Sequence, residues 1–315
     1  MPLTLEQYAT YLDTRGLPWP APPKADPPRV KASLRPVEGV RAVLWTVYGT
    51  LLAIPDGELK FEVSNDLLMN VALDKTIHEF KMWGSMSRKP GQPAEYLREI
   101  YKKALDEQRL APAADKYPEF LSEKVWEGII KKLFQKEYQF DAGFYGSLPD
   151  YAKKVAYFFH ASLQGTACYE NAASAMTGLA GRGIAQGLLA DGQVFTPAQL
   201  ARGLARQDAA VRLDDVIPPA NRVLSCQHRA RKPSDLLFEA AVEAMGARGI
   251  EPGQVLHIGS SVTRDVGPAK KWGMRTALFA GDKASLAATA EQLKDPQYRP
   301  DALLTDLGQV VELVG

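Results

Sequence analysis

The chain has 315 residues, 46% of them hydrophobic, enough to bury a sizeable core and to build one large domain or two modest ones. Its 38 basic and 37 acidic residues give a formal charge of +1 with no basic stripe, which argues against a nucleic-acid partner. No apolar run reaches the length of a membrane span, the start lacks a secretion signal, and Cys168 and Cys226 stand far apart without metal-ligand spacing, so a soluble cytoplasmic protein with reduced thiols is expected.

Leu5 to Leu12 has the spacing of a short amphipathic helix. The stretch from Leu17 to Pro36 carries Pro18, Pro20, Pro22, Pro23, Pro27, Pro28 and Pro36, which forbid regular helix. Residues 1–39 therefore read as a proline-rich N-terminal arm. An extended segment anchored at home by Trp19 is preferred over a proline-rich ligand for a partner's aromatic groove. An apolar strand follows at Val43-Leu44-Trp45-Thr46-Val47, running into the turn Tyr48-Gly49-Thr50. After Pro55-Asp56-Gly57 the period changes, with Leu67, Leu68, Val71, Ile77 and Phe80 at helical spacing. Glu95 to Leu110 and Phe120 to Phe134 are two amphipathic helices, and segments at Tyr151 to Leu163 and Asn171 to Leu179 complete a helical bundle. From Ile184 the rhythm becomes strand then helix: Ile184 to Ala190, Arg222 to Ser225, Gln254 to Ile258, Arg275 to Phe279 and Ala302 to Leu304 are short apolar runs between helical stretches. That alternation predicts an α/β fold, a Rossmann-like parallel sheet covered on both faces. Ligands in such sheets sit beyond the carboxyl ends of the strands, which gathers Thr46, Tyr48, Asp191, Ser225, Lys232 and Ser260 into one candidate pocket.

Four stretches taken in order resemble the motifs of the haloacid dehalogenase-like (HAD) hydrolases. The first strand and its Gly49-Thr50 turn match that family's opening motif, an apolar strand ending in Asp-x-Asp-Gly-Thr-Leu, except that Thr46 and Tyr48 stand where the family has its nucleophilic and proton-shuttling aspartates. At the second motif, Leu188-Leu189-Ala190-Asp191-Gly192, Ala190 offers no hydroxyl, and Asp191 reads foremost as a turn residue before Gly192. The third is Ser225-Cys226-Gln227-His228-Arg229-Ala230-Arg231-Lys232-Pro233, where Lys232 is either the family's lysine or a solvated surface residue. At the fourth, His257-Ile258-Gly259-Ser260-Ser261-Val262-Thr263-Arg264-Asp265, Ser260 replaces a metal-binding aspartate. Asp265 remains, and it reads foremost as a helix N-terminal carboxylate that needs no metal. The resemblance implies a core formed by residues 40–56 and 164–315 and a helical cap formed by residues 57–163.

Transfer of a phosphoryl group through an aspartyl intermediate needs a carboxylate nucleophile, a proton-transfer group and a cation. Thr46, Tyr48 and Ser260 remove or cripple all three, so the resemblance implies a hydrolase fold without hydrolase chemistry. With Asp265 as the only family carboxylate left, bound magnesium is expected to be weak or absent. The loss of carboxylates should leave Lys232, Arg231 and Arg229 with little opposing charge, and the Val47 to Thr50 amides could add donors around Gly49. Thr46, Gly49, Lys232 and Ser260 thus become candidate contacts for a small anionic ligand, with Tyr48 as the alternative plug of the cavity. Two rival readings keep an enzyme: an active HAD-type phosphatase using non-standard residues, or a new triad of Ser260 or Ser225 with His228 and Asp191. His257, inside an apolar strand, is expected to be a satisfied core residue.

Overall fold

The structure, a computed structural model, describes residues 1–86 and 92–314; the part of the expected helical module at residues 87–91 lies outside the described residues. Helix α1 (Leu5–Asp13) opens on a capping box between Thr4 and Gln7. Strand β1 (Ala42–Trp45) leads through the Gly49 turn to β2 (Leu52–Ala53). Helices α2 (Asp66–Glu79), α3 (Pro93–Arg109), α4 (Ser122–Phe134), α5 (Ala142–Tyr145) and α6 (Leu148–Leu163) follow, and the chain returns at β3 (Ala167–Cys168). Strands β2 and β3 pair antiparallel, Leu52 opposite Cys168, so the helical module leaves and re-enters the core side by side. Helix α7 (Ala172–Gly181) then precedes β4 (Ala185–Ala190), α8 (Thr196–Gln207), α9 (Leu213–Val216), β5 (Arg222–Leu224), α10 (Ser225–His228) and α11 (Asp235–Gly246). The last part holds β6 (Val255–Gly259), one π-helical turn (Val262–Val266), α12 (Gly267–Lys271), β7 (Arg275–Phe279), β8 (Ala302–Leu304) and α13 (Val310–Leu313).

Six strands form one parallel sheet in the order β5-β4-β1-β6-β7-β8, with Ala42 opposite Ala185 on one side and Val255 on the other. The order reverses around β1, so its carboxyl end faces the crevice where ligands of such sheets bind. Strand β1 is buried on both faces. Val43 and Trp45 pack with α7, α8 and α13, whereas Ala42 and Leu44 pack with Leu237, Phe238 and Met245 of α11. This period of two accounts for the continuous apolar run in the sequence.

A separate apolar cluster fills the helical module, where Trp126 lies 5.3 Å from Phe159 and Tyr101 lies 4.9 Å from it. Tyr8 and Leu12 of α1 belong to this cluster, so the N-terminal helix is part of the bundle's packing. The proline-rich segment runs on from there without helix or named strand. Trp19 packs on Phe158 at 5.3 Å, and Ser33 bridges antiparallel to Leu303 of β8. The reading of Trp19 as an anchor at home therefore agrees with where it sits.

Two expectations about the helices need correction. Leu67, Leu68 and Val71 of α2 do not face inward but are 70%, 52% and 42% exposed, while Met69, Leu73 and Ile77 at i, i+4 and i+8 are buried. Apolar residues of this helix fall on more than one face, so spacing alone did not select the packed one. The Asn171 to Leu179 segment does not complete the bundle: α7 packs against the sheet through Ala172, Ala175, Met176 and Leu179. No helix among the described residues is long and apolar enough to cross a membrane.

Candidate functional site

The strand ends bring together Thr46, Lys232, Ser260 and Asp265, all buried. Lys232 Nζ donates to Thr46 Oγ1 at 2.7 Å, to the Leu189 carbonyl at 3.3 Å, and to Asp265 Oδ1. An ammonium has three protons, and all three are used. Thr46 Oγ1 in turn donates to Asp265 Oδ1 at 2.9 Å, and the Ser261 amide donates to Oδ2 at 2.9 Å. The Lys232 ion pair thus lies below the surface with its members hydrogen-bonded on every side, the condition under which a buried pair repays its desolvation. His257 bridges from the Leu44 carbonyl, 3.1 Å from Nδ1, to Asp265 Oδ1, 3.4 Å from Nε2. Burial holds its pKa below the ordinary value, and a neutral ring can donate to only one of these oxygens.

Local backbone explains how Asp265 comes to be there. Its carboxylate folds back over Gly259, where an added Cβ would meet Asp265 Cγ at 2.2 Å. Gly49 has φ +76°, and a Cβ there would meet the Gly57 carbonyl at 2.8 Å, so the turn after β1 requires glycine. Asp265 is therefore not the helix N-terminal carboxylate that its position suggests but the counter-ion of Lys232. Burial by itself would raise its pKa; the Lys232 ammonium and His257 outweigh this and hold it well below the usual carboxylate range. So placed, it is a weak base, and the Thr46 hydroxyl is not activated by it.

Tyr48 turns away from the network. Its hydroxyl lies 2.9 Å from Thr196 Oγ1 and donates to Gln199 Oε1, both on α8, and burial keeps the phenol protonated far above neutral pH. Asp191 does more than terminate β4, because its Oδ1 accepts from the Lys232 backbone amide at 2.8 Å. Ala190 is buried within the strand. The triad of Ser225, His228 and Asp191 is not assembled: the Ser225 hydroxyl donates to Glu119 and accepts from the Gly192 amide at 2.8 Å.

Glu119, which sequence reasoning missed, comes from the helical module. It stands in a loop between two amphipathic helices with no motif around it, so nothing in the sequence marked it. The segment Tyr117 to Glu119 runs antiparallel to Arg229 to Arg231, with the Glu119 amide on the Arg229 carbonyl at 3.1 Å and the Arg231 amide on the Tyr117 carbonyl at 2.7 Å. Gln193 adds two further bonds, to Phe120 and Ser122. These contacts latch the module over the strand ends. Burial raises the Glu119 carboxyl from 4.5 to about 7, against the opposing pull of Arg231.

The pocket's charge differs from expectation. Arg231 and Arg264 do line it with Lys232, but Glu58, Glu119, Asp191 and Asp265 face them, four acids against three bases, and Arg229 is exposed. The expected positive field is absent because the helical module and its entry segment supply Glu119 and Glu58. The space left measures about 30 Å³. A water needs about 10–15 Å³ on this scale, and small-molecule sites run to roughly 300–1,000 Å³. Thr46, Lys232 and Ser260 therefore surround room for a couple of waters and no more, and Gly49 does not line that space.

Comparison with known proteins places these observations. Residues 229–310 match the family described as HAD-hydrolase-like. Among solved structures, the 2-haloacid dehalogenase of Pseudomonas syringae pv. Tomato DC3000 is 18% identical, with a TM-score of 0.52, over 87% of this chain and 97% of that one. The HAD phosphatase of Thermococcus onnurineus is 16% identical, with a TM-score of 0.47, over 88% and 98%. No curated protein sequence matches the chain.

Two outcomes follow for stability. Lys232→Met or Asp265→Asn alone strands a buried partner and should cost about 3–5 kcal/mol in urea unfolding, while the double variant should cost less than the sum; additive losses would mean that the two groups do not act as a pair. The two carboxyls have opposite pH signs. Asp265, held low, contributes stability that is present above about pH 4 and lost as the pH falls below it. Glu119, held high, binds its proton more tightly when folded, so its contribution declines as the pH rises from about 4.5 to about 7. Glu119→Gln should flatten that upper slope and leave the acid limb unchanged, and an unchanged slope would contradict the assignment.

Proposed function

We propose that this chain, which has the haloacid dehalogenase-like fold and that family's sequence pattern over residues 229–310, has lost hydrolytic chemistry and works by binding or interaction. The observation that carries this reading is the closed network at the strand ends. The hydroxyl at the nucleophile position, Thr46, lies between the Lys232 ammonium and Asp265. No carboxylate stands there to attack phosphorus or carbon, and the Tyr48 phenol bonds to α8, away from any substrate. The space beside Thr46 is too small for a phosphoryl group and its leaving group.

Magnesium, which the fold family implies, does not fit these residues. Both oxygens of Asp265 already accept hydrogen bonds, an ammonium sits against Oδ1, and Ser260 brings a neutral hydroxyl where a second carboxylate is needed. The small anion suggested by the sequence loses its support too, since four acids face three bases around the pocket. We place the protein in a reducing cytoplasm, a reading supported by two free cysteines whose thiols burial pushes up to about 12, away from reactive thiolate.

Incubation of the pure protein with p-nitrophenyl phosphate and magnesium should release no nitrophenol above the buffer rate. Magnesium-dependent hydrolysis that disappears in Lys232→Ala would overturn the proposal and restore a working phosphatase.

A further inference from the structure

The helical module holds a second cavity that shares no lining residue with the strand ends. As the described residues line it, this cavity measures about 680 Å³, within the range of small-molecule sites. Its walls come from α1 and the segment after it, the end of α2, the chain from Gln139 to Tyr145, and α6.

Those walls are largely aromatic rings held against one another. Phe140 stacks on Tyr151 at 4.0 Å, Phe80 meets Tyr151 edge-on at 5.4 Å, and Trp19 meets Phe158 edge-on at 5.3 Å. Tyr145 stands 5.0 Å from Tyr151. Two of the charged groups at the rim, Arg15 and Glu79, neutralise each other. Arg15 grips both oxygens of Glu79 at 2.6 Å, Asp74 lies 3.7 Å from His78, and Lys75 donates to the Pro18 carbonyl. The last contact ties the Trp19 segment to α2, so the proline-rich arm forms a wall of the cavity.

Two other hollows differ in chemistry. One, of about 610 Å³, is floored by alanines under Arg202 and Arg206, and another, of about 870 Å³, is lined by Asp115, Asp235, Lys270 and Lys271. Neither offers stacked rings.

We propose that the aromatic cavity binds a small, uncharged, planar aromatic compound. Ring faces and edges at 4–6 Å spacing suit another ring in offset or edge-on contact. A charged ligand would lose hydration against walls that are largely aromatic. A flexible chain would bury area there but gain none of the ring geometry. Trp19 closes the site from the arm, which gives that tryptophan a ligand contact in addition to its packing on Phe158.

The test uses the full chain and N-phenyl-1-naphthylamine, a neutral dye that brightens in apolar surroundings. One molecule per chain should bind with micromolar affinity, and naphthalene should displace it at least tenfold more effectively than octanol or benzoate. Trp19→Ala and Phe140→Ala, each verified to melt cooperatively, should weaken binding at least tenfold, while Trp19→Phe should stay within about threefold of the parent. Binding that is not saturable, that is unchanged in both alanine variants, or that octanol displaces equally well would overturn the proposal. The inference does not rest on the loss of chemistry at the strand ends, since hydrolysis of p-nitrophenyl phosphate and binding of the dye are independent readouts.

Discussion

The arrangement at the strand ends depends on one interaction, the buried contact between the Lys232 ammonium and the Asp265 carboxylate. Removing two charges from water is expensive, and a buried pair persists only where further hydrogen bonds complete both partners. Here three separate elements provide them. The turn after β1 contributes the Thr46 hydroxyl, β4 contributes the Leu189 carbonyl, and the turn after β6 contributes the Ser261 amide. Gly259 leaves room for the carboxylate to fold back, and Asp191 fixes the backbone from which the lysine reaches inward. The latch between residues 117–119 and 229–231 then holds the helical module against the segment that carries Lys232.

The same constraint separates scaffold from chemistry. The hydroxyl after β1, the lysine after β5 and the carboxylate after β6 meet at the strand ends and are engaged with one another. Thr46, Tyr48, Lys232 and Asp265 each have a hydrogen-bond partner within the protein. Tyr48 illustrates the consequence: its ring is buried and its hydroxyl bonds to Thr196, so restoring a carboxylate there would leave α8 without that contact and open a cavity. Fold and function are separable in this way because the fold rests on the sheet and its two apolar faces, while reactivity rests on a few groups at the strand ends.

The parallel sheet was legible in the sequence because strands buried on both faces read as short continuous apolar runs, and those from β4 to β8 lie within a residue of where they were expected. The cluster of Thr46, Lys232 and Asp265 was legible from motif spacing. Its electrostatics were not. A positive pocket followed from counting only the core's residues, whereas Glu119 arrives from a loop more than a hundred residues away from Lys232 along the chain, brought in by backbone pairing that has no sequence pattern. The packed face of α2 was hidden for a different reason: Leu67 and Leu73 are equally apolar, and only tertiary contact with α6 decides which is buried. The aromatic cavity was also beyond reach, since Trp19, Phe80 and Tyr151 lie far apart in the chain and meet only after the arm has docked on the bundle.

The central claim is that an internal ammonium occupies the place where a catalytic cation would have to sit. The most direct measurement is the melting temperature with and without millimolar magnesium, with calcium as a control, because an ion that binds the native state raises it by mass action. The account predicts no shift beyond that of ionic strength. A magnesium-specific rise that is abolished by Asp265→Asn would show that a metal can displace Lys232 from the carboxylate, and the closed network could not then be the protein's resting state.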